Sequence, residues 1–155
     1  MMRRTVFLMA VAVLLAGCQS DITPVIECVP DKGLTPICGF QNPEDLAAIP
    51  DSKWLIVSQF GSMNGTKLGN LALFDRIEEL LRPVFPNGEG GVEPGWGDAD
   101  CPGVPGKSFS PHGLDLMQLA DGRWRLAVVN HGSRESVELF EVVNEESLPR
   151  IIWRG

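Results

Sequence analysis

Positive charge, histidine and cysteine are all scarce in this sequence. Of its 155 residues, 13 are Lys or Arg and 20 are Asp or Glu, which gives a formal net charge of −7 at pH 7. An acidic protein repels phosphate backbones, so we expect no nucleic-acid partner. Two histidines and the three loosely spaced cysteines after residue 18 give no zinc-binding pattern. The apolar run at residues 5–15 is too short to span a bilayer.

The N-terminus has the pattern of an export signal. Two arginines precede the apolar run and two small residues follow it, which predicts a signal peptide over residues 1–17. Residues 15–18, Leu-Ala-Gly-Cys, resemble the lipobox at which the signal peptidase of bacterial lipoproteins cleaves. The resemblance implies that Cys18 carries a lipid and attaches the protein to a membrane of the cell envelope. Gln19 stands where an acidic residue would favour retention, so we expect the outer membrane, facing the periplasm.

Three cysteines remain once Cys18 is lipidated. Cys28, Cys38 and Cys101 are candidates for a disulfide, because the envelope compartment oxidises thiols. Their number is odd, so we expect at least one of them to lack a partner within this chain.

The rest of the chain divides into a tether and a strand-rich region. Residues 18–42 contain prolines and glycines without a sustained period, which predicts a tether leading away from the lipid. Residues 43–155 alternate between apolar segments and loops. Six short segments bounded by turn residues predict strands: 45–49, 54–59, 70–74, 114–119, 124–130 and 137–143. We also expect a short helix around residues 75–81 and a long loop over residues 83–111.

The strand-rich region contains an internal repeat. Residues 43–46, Pro-Glu-Asp-Leu, reappear as Pro-His-Gly-Leu at 111–114, and Asp-Ser-Lys-Trp at 51–54 reappears as Asp-Gly-Arg-Trp at 121–124. Two similar antiparallel sheets in tandem predict an all-β fold, consisting of about the first two four-stranded blades of a β-propeller. The alternative is a pair of unrelated hairpins whose similarity is accidental.

The second hairpin brings the two histidines of the chain together. Asp-Gly at 121–122, between two apolar runs, predicts a two-residue type I′ turn. This turn pairs Ala120 with Arg123 and, counting back along both strands, His112 with His131. Directly opposed residues have Cβ atoms about 5 Å apart, so we expect the imidazoles to share a hydrogen bond or a water. The alternative is two strand-end histidines with purely structural hydrogen bonds.

Around these histidines the sequence resembles the paraoxonase and arylesterase family of six-bladed propeller hydrolases. Pro-His-Gly, Val-Asn-His and the strand that follows them are similar to segments of that family, as are Glu-Asp-Leu and a Leu-Pro-like pair in its first blade. The corresponding segments are residues 44–46, 49–50, 110–114, 128–131 and 136–140. Together they cover roughly residues 43–143, in the order and spacing of the family.

The resemblance implies a calcium-dependent site for small aryl esters or lactones. His112 and His131 would form a dyad in which one imidazole activates water and the other orients it. Glu44 would bind a catalytic Ca²⁺, and Asp45 a structural Ca²⁺ that also takes the backbone carbonyl of Leu114. Calcium prefers oxygen ligands and polarises an ester or lactone carbonyl, so the chemistry is coherent.

The family's remaining calcium ligands belong to later blades, as does one half of its disulfide, whose other half the resemblance places at Cys28 or Cys38. We therefore expect an N-terminal part of a longer protein, or a truncated product, that is inactive or unstable on its own. Two other functions stay open. One is a propeller enzyme similar to gluconolactonase or strictosidine synthase, which lacks the paired histidines. The other is a lipid-anchored propeller that binds a ligand or partner without catalysis.

Overall fold

The structure is a computed structural model that describes residues 27–86 and 89–155. Its regular elements are β-strands, and the described residues include no helix. The strands are β1 (Pro43–Ala48), β2 (Trp54–Gln59), β3 (Asn70–Asp75), β4 (Leu80–Phe85), β5 (Pro111–Gln118), β6 (Trp124–His131), β7 (Glu135–Val143) and β8 (Arg150–Trp153). This part of the chain is all-β, as the short apolar segments predict. The predicted signal peptide and the predicted lipidation site Cys18 lie outside the described residues.

Each strand pairs with its neighbours in sequence. Strands β1 to β4 form one four-stranded antiparallel sheet and β5 to β8 form a second, each in chain order. Antiparallel neighbours need only short connections, which suits the closely spaced apolar segments of this sequence. Two four-stranded antiparallel sheets in tandem confirm the all-β part of the prediction made from the internal repeat.

Burial distinguishes the central strands of the first sheet from its edge strands. Nearly every residue of the central strands β2 and β3 is buried. The edge strands β1 and β4 mix exposed and half-buried positions. Strands covered on both faces are nearly continuous apolar runs. This is why the sequence pattern locates β2 and β3 to within one residue.

One hydrophobic core joins the two sheets. Phe85 of the first sheet and Phe140 of the second pack edge to face with ring centroids 4.8 Å apart, and Phe109, from the loop between the sheets, lies 5.0 Å from Phe85. Burying one such ring contributes about 1.5–3 kcal/mol. Apolar side chains of both sheets complete the cluster: Ile49, Trp54, Ile56, Leu71, Leu73, Leu126, Val128, Val142, Ile151 and Trp153. The shared core fixes the sheets relative to each other, with β1 next to β5.

The helix predicted around residues 75–81 is wrong, because a tight turn and the start of β4 occupy this segment. Oδ1 of Asp75 accepts hydrogen bonds from the backbone N–H groups of Ile77 at 3.0 Å and Glu78 at 3.2 Å. A side chain that bonds the following backbone in this way stabilises a turn at the expense of a helix. Glu79 then adopts a φ of 51°, outside the helical range, and β4 begins at the next residue.

Strands β4 and β8 are absent from the prediction. β4 ends at Phe85, so the first residues of the predicted long loop belong to a strand. Proline within this segment argues against a central strand, and β4 is an edge strand, where Pro83 costs the sheet little. β8 has only four residues and pairs with β7, with Phe140 opposite Trp153. Between β4 and β5, the described residues 89–110 form the predicted loop.

The register predicted for the β5–β6 hairpin is wrong by one residue. Gln118 pairs with Trp124 rather than Arg125, because three residues, not two, form the loop between the bonded pair Leu119 and Arg123. Of the two residues Asp121 and Gly122, only Gly122 has a positive φ, of 88°, whereas a type I′ turn requires a positive φ at both central residues. The carboxylate of Asp121 instead accepts a hydrogen bond from the backbone N–H of Arg123 at 3.0 Å, which stabilises the longer turn.

The chain divides into two compact units, with the boundary after Pro36. In the first unit, the described residues 27–36 contain one tight turn, in which Asp31 and Leu34 exchange backbone hydrogen bonds of 3.0 and 2.9 Å. Both sheets belong to the second unit. Among the residues that the structure describes, no helix has the length and apolarity needed to cross a membrane.

Candidate functional site

The first strand of each sheet carries a β-bulge at the same place in the internal repeat. In β1, Glu44 is the extra residue between Pro43, which pairs with Gln59, and Asp45, which pairs with Ser58. In β5, His112 and Gly113 together face the single residue 129 of β6. A bulge bends its strand and redirects a side chain, and bulges often occur next to functional sites. The repeat therefore places Glu44 and His112 in equivalent positions of adjacent sheets.

Three residues connect the two bulged strands. The buried hydroxyl of Ser58 donates to the backbone carbonyl of His112 at 2.5 Å and accepts from the backbone N–H of Asp45 at 2.9 Å. The carboxylate of Asp45 in turn accepts from the backbone N–H of Leu114 at 2.8 Å. The bonds to His112 and Leu114 run between the sheets, and together with the bond within the first sheet they hold both bulges in one arrangement. Asp45 and Leu114, which the family resemblance predicts at one site, are thus hydrogen-bonded to each other, whereas Ser58 was not predicted.

The bulge of β5 places His112 against the equivalent residue of the first sheet. Nε2 of His112 lies 3.4 Å from Oε2 of Glu44, and the two side chains are 50 % and 28 % exposed. The edge of the Phe60 ring packs against the imidazole, with ring centroids 6.3 Å apart. His112 therefore has an acidic neighbour on one side, an apolar neighbour on another and access to solvent.

His131, at the end of β6, lies beside His112. Their ring centroids are 5.5 Å apart, and the ring planes are nearly perpendicular at 79°. Nδ1 of His131 lies 2.6 Å from Oε2 of Glu135, its partner across the β6–β7 hairpin. The prediction that the two histidines lie together is thus confirmed, although the reason given for it is wrong. In the observed register the two side chains would point to opposite faces of the sheet, and the bulge at residues 112–113 turns His112 to the face that carries His131.

The turn that follows His131 is fixed by a buried amide. Oδ1 of Asn130 accepts hydrogen bonds from the backbone N–H groups of Ser110 and Gly132, both at 3.0 Å, and its Nδ2 donates to the carbonyl of Arg134 at 3.1 Å. Asn130 is fully buried, so each of these bonds replaces a lost bond to water. The backbone N–H of His131 also donates to the carbonyl of Ser110 at 3.0 Å. The imidazole therefore projects from a rigid backbone.

Sequence reasoning did not identify Glu135 or Asn130 as parts of this site. Glu135 could have been found, because a three-residue turn over residues 132–134, which begins with Gly-Ser, places Glu135 opposite His131. For Asn130 the Val-Asn-His segment was noted, but nothing in the pattern distinguishes a buried amide from an exposed one.

The residues expected to bind calcium lie together and have suitable chemistry, but they form only part of a coordination shell. Glu44 and Asp45 are adjacent carboxylates, and Asp45 is bonded to the backbone of Leu114. Oδ1 of Asp45 accepts from the N–H of Leu46 at 2.8 Å, so each oxygen of this carboxylate has one protein partner and retains a lone pair. Calcium takes six to eight oxygen ligands. Within the described part of the chain, no group of three or more His, Cys, Asp or Glu side chains is arranged to hold a metal ion.

Of the three cysteines in the described part of the chain, two are in disulfide bonds and one is a free thiol. Cys28 and Cys38 are disulfide-bonded, whereas Cys101 is a free, half-buried thiol. One unpaired cysteine agrees with the odd number that remains after Cys18. The bond from Cys28 or Cys38 to a later blade, which the family resemblance implies, stays a prediction.

Comparison with protein-family models and with curated proteins finds no match for this chain. The functional argument therefore depends on the geometry of the two histidines and on the motifs around them.

Proposed function

We propose that this chain carries the histidine dyad of a calcium-dependent hydrolase of aryl esters or lactones, attached to the cell envelope by a lipid on Cys18. The proposal takes the two sheets as adjacent blades of a β-propeller similar to the paraoxonase and arylesterase family. Two four-stranded meanders that share a core, with their first strands β1 and β5 adjacent, support this arrangement. That the two sheets are blades of a propeller is itself part of the proposal.

The observation that carries the proposal is the chain of four side chains from Glu44 through His112 and His131 to Glu135. Each histidine has its own carboxylate, at 3.4 Å and 2.6 Å, and the two imidazoles pack edge to face. Histidines with only structural roles have no need of this double pairing at a solvent-accessible bulge. Histidine is also the side chain best suited to exchange a proton near neutral pH.

The proposal gives each of these groups a role that is compatible with its position. Glu135 accepts a hydrogen bond from Nδ1–H of His131, which selects the tautomer whose Nε2 is free to accept a proton. His112 takes the proton of an attacking water, and the carboxylate of Glu44 stabilises the resulting imidazolium at Nε2. Ser58 holds the His112 backbone, so the reacting ring does not have to be ordered during the reaction.

A calcium ion held by Glu44 would polarise the ester or lactone carbonyl, and a second calcium ion held by Asp45 and the backbone carbonyl of Leu114 would be structural. The bonds that link Asp45 to the backbone of Leu114 keep these donors close together without a cation.

The test uses the full-length product of the gene. Initial rates with phenyl acetate and with a lactone such as dihydrocoumarin are measured in calcium and in excess EGTA. We expect calcium-dependent hydrolysis of at least one substrate, and a loss of at least about a hundredfold in kcat for His112→Gln, the typical contribution of a general base. Gln118→Ala, at the far end of the same strand, is the control and should retain the rate.

Two results contradict the proposal. One is the absence of hydrolysis of either substrate with calcium present, and the other is an unchanged rate in His112→Gln. Calcium binding without turnover would favour the lipid-anchored binding protein instead, and turnover that ignores both histidines would favour an enzyme similar to gluconolactonase.

A further inference from the structure

A cleft of about 370 Å³ opens beside His131. Its walls come from three segments: the loop after β2, the end of the loop before β5 and the turn after β6. The lining residues include His131 itself, so any molecule in the cleft lies next to the histidine pair. The proposed catalytic roles make no use of the other lining residues.

The cleft concentrates positive charge in an acidic protein. Lys67 and Lys107 are two of the four lysines in the sequence, and both line it. Both are exposed, and in the described ranges neither forms an ion pair within the chain, whereas Lys53 is paired with Asp75 at 2.6 Å. The described lining residues include no Asp or Glu. The whole chain has a net charge of −7, so two lysines without ion pairs make the cleft a locally favourable place for an anion.

Apolar surface lies beside these lysines. Phe60 and the buried ring of Phe109 form part of the wall, and Met63 and Leu68 are 87 % and 54 % exposed at its edge. Inorganic anions gain nothing from such side chains, whereas burying an organic group against them is favourable. The combination of apolar wall and lysines therefore fits a small organic molecule with an anionic group.

The cleft is preformed rather than assembled from loose loops. The turn after β6 is held by a 3.0 Å bond from the N–H of Ser133 to the carbonyl of Ser108, and a Cβ atom on Gly132 would lie 1.5 Å from that carbonyl oxygen. In the loop after β2, the hydroxyl of Ser62 accepts from the backbone N–H of Lys67 at 2.8 Å. A site fixed before binding loses less entropy when a ligand enters.

We infer that this cleft binds a carboxylate-bearing small organic molecule, with Lys67 and Lys107 contacting the carboxylate and the apolar wall contacting the rest. On the proposed function, this makes the substrate an ester or lactone that carries a carboxylate some distance from the reacting carbonyl. The inference concerns recognition and stands on the cleft alone; its link to a substrate rests on the proposed function.

Binding is tested with a matched pair of probes by isothermal titration calorimetry. Phenylacetate carries the anion, and phenylacetamide has nearly the same shape without charge. We expect phenylacetate to bind at least about tenfold more tightly, and this preference to shrink as salt is raised. The double variant Lys67→Gln and Lys107→Gln should lose about tenfold in affinity for phenylacetate, which is the size expected of two exposed ion pairs. Arg82→Gln removes the same charge at an exposed position of β4 that does not line the cleft, and this variant should bind as the parent does.

Equal affinity for the two probes overturns the inference, as does full affinity in the double variant. Because both lysines are exposed, circular dichroism should show that the double variant is folded. Failure of this inference can be distinguished from failure of the proposed function. If the anion phenylacetate binds in a lysine-dependent way but the ester phenyl acetate is not hydrolysed, the binding cleft is supported and the hydrolase function is contradicted. Hydrolysis of phenyl acetate without any preference for the anionic probe does the reverse.

Discussion

Glu138 offers a sharp test of what holds the histidine-bearing turn in place. This side chain, in β7, is 1 % exposed. It accepts hydrogen bonds from Arg134 through both carboxylate oxygens at 2.7 Å, from Ser136 at 2.5 Å and from the indole N–H of Trp153 at 2.8 Å. The amide of Asn130, which fixes the turn after His131, lies 3.5 Å away. Replacing Glu138 with Ala removes the acceptor for all of them.

The expected cost of Glu138→Ala is about 3 kcal/mol of unfolding free energy. Removing one partner of a buried ion pair typically costs 3–5 kcal/mol, because the remaining charge is left without compensation. The lower end applies because the Arg134 side chain is 23 % exposed and keeps one hydrogen bond to the carbonyl of Gly103 at 2.8 Å. The buried indole N–H of Trp153 gains no other acceptor in this cluster, which adds to the cost.

The same carboxylate predicts acid sensitivity. Burial pushes the pKa of Glu138 upward, but the hydrogen bonds from Arg134, Ser136 and Trp153 together outweigh burial and hold that pKa below its ordinary value. A lowered pKa in the folded state means that Glu138 contributes its stability above the pKa of an unfolded glutamate, about 4.3. The contribution is lost as the pH falls through the lowered folded value. The destabilisation caused by Glu138→Ala should therefore be full at pH 7 and shrink below pH 4.

Urea unfolding followed by tryptophan fluorescence measures both effects, at pH 7 and at several values below pH 4.5. The control is Glu146→Gln, which alters a carboxylate on an exposed loop and should change stability by less than about 0.5 kcal/mol. A Glu138→Ala protein within about 1 kcal/mol of the parent at pH 7 would refute the reasoning. So would a difference between the two proteins that does not depend on pH.

Two further substitutions test local geometry. Gly132→Ala should cost about 3 kcal/mol and lower activity, because its Cβ would lie 1.5 Å from the Ser108 carbonyl oxygen, whereas Gly106→Ala meets no atom within 4 Å and should be neutral in the same urea titration. Asp75→Asn should lower the urea midpoint at pH 7 and approach the parent in acid. Burial raises the pKa of Asp75, but hydrogen bonds from Lys53 and the following backbone outweigh it and keep that pKa low. Equal stability of parent and Asp75→Asn at pH 7 would contradict this account of the turn.

The sequence predicts much of the fold because most strands are buried and therefore consist of apolar segments. Central strands β2 and β3 are continuous apolar runs, and their bounds follow directly from the pattern. Edge strand β4 gives no such signal, since half of its residues are exposed and it includes Pro83. The prediction of a helix at Asp75 is wrong because hydrogen bonds from the backbone to this side chain stabilise a turn. Such bonds produce no periodic pattern in the sequence.

The sequence predicts which residues of the site lie together, but not the backbone contacts that bring them together. Pairing His112 with His131 followed from a two-residue turn that the chain does not adopt, since Asp121 favours a longer loop. The bulge at residues 112–113 restores the contact, and a bulge cannot be read from apolar and polar alternation because it breaks that alternation. Bonds between sheets, such as that from Ser58 to the His112 carbonyl, depend on how the sheets pack and have no local signature.

Joint action of His112 and His131 is tested most directly by a double-mutant cycle on phenyl acetate hydrolysis with calcium present. Initial rates are compared for the parent, His112→Gln, His131→Gln and the double variant. If the imidazoles form one proton-transferring unit, the double variant loses about as much activity as the more severe single variant, because either change already disables the unit. Losses that multiply would show two independent contributions, and full activity in either single variant would show that the pair has no catalytic role.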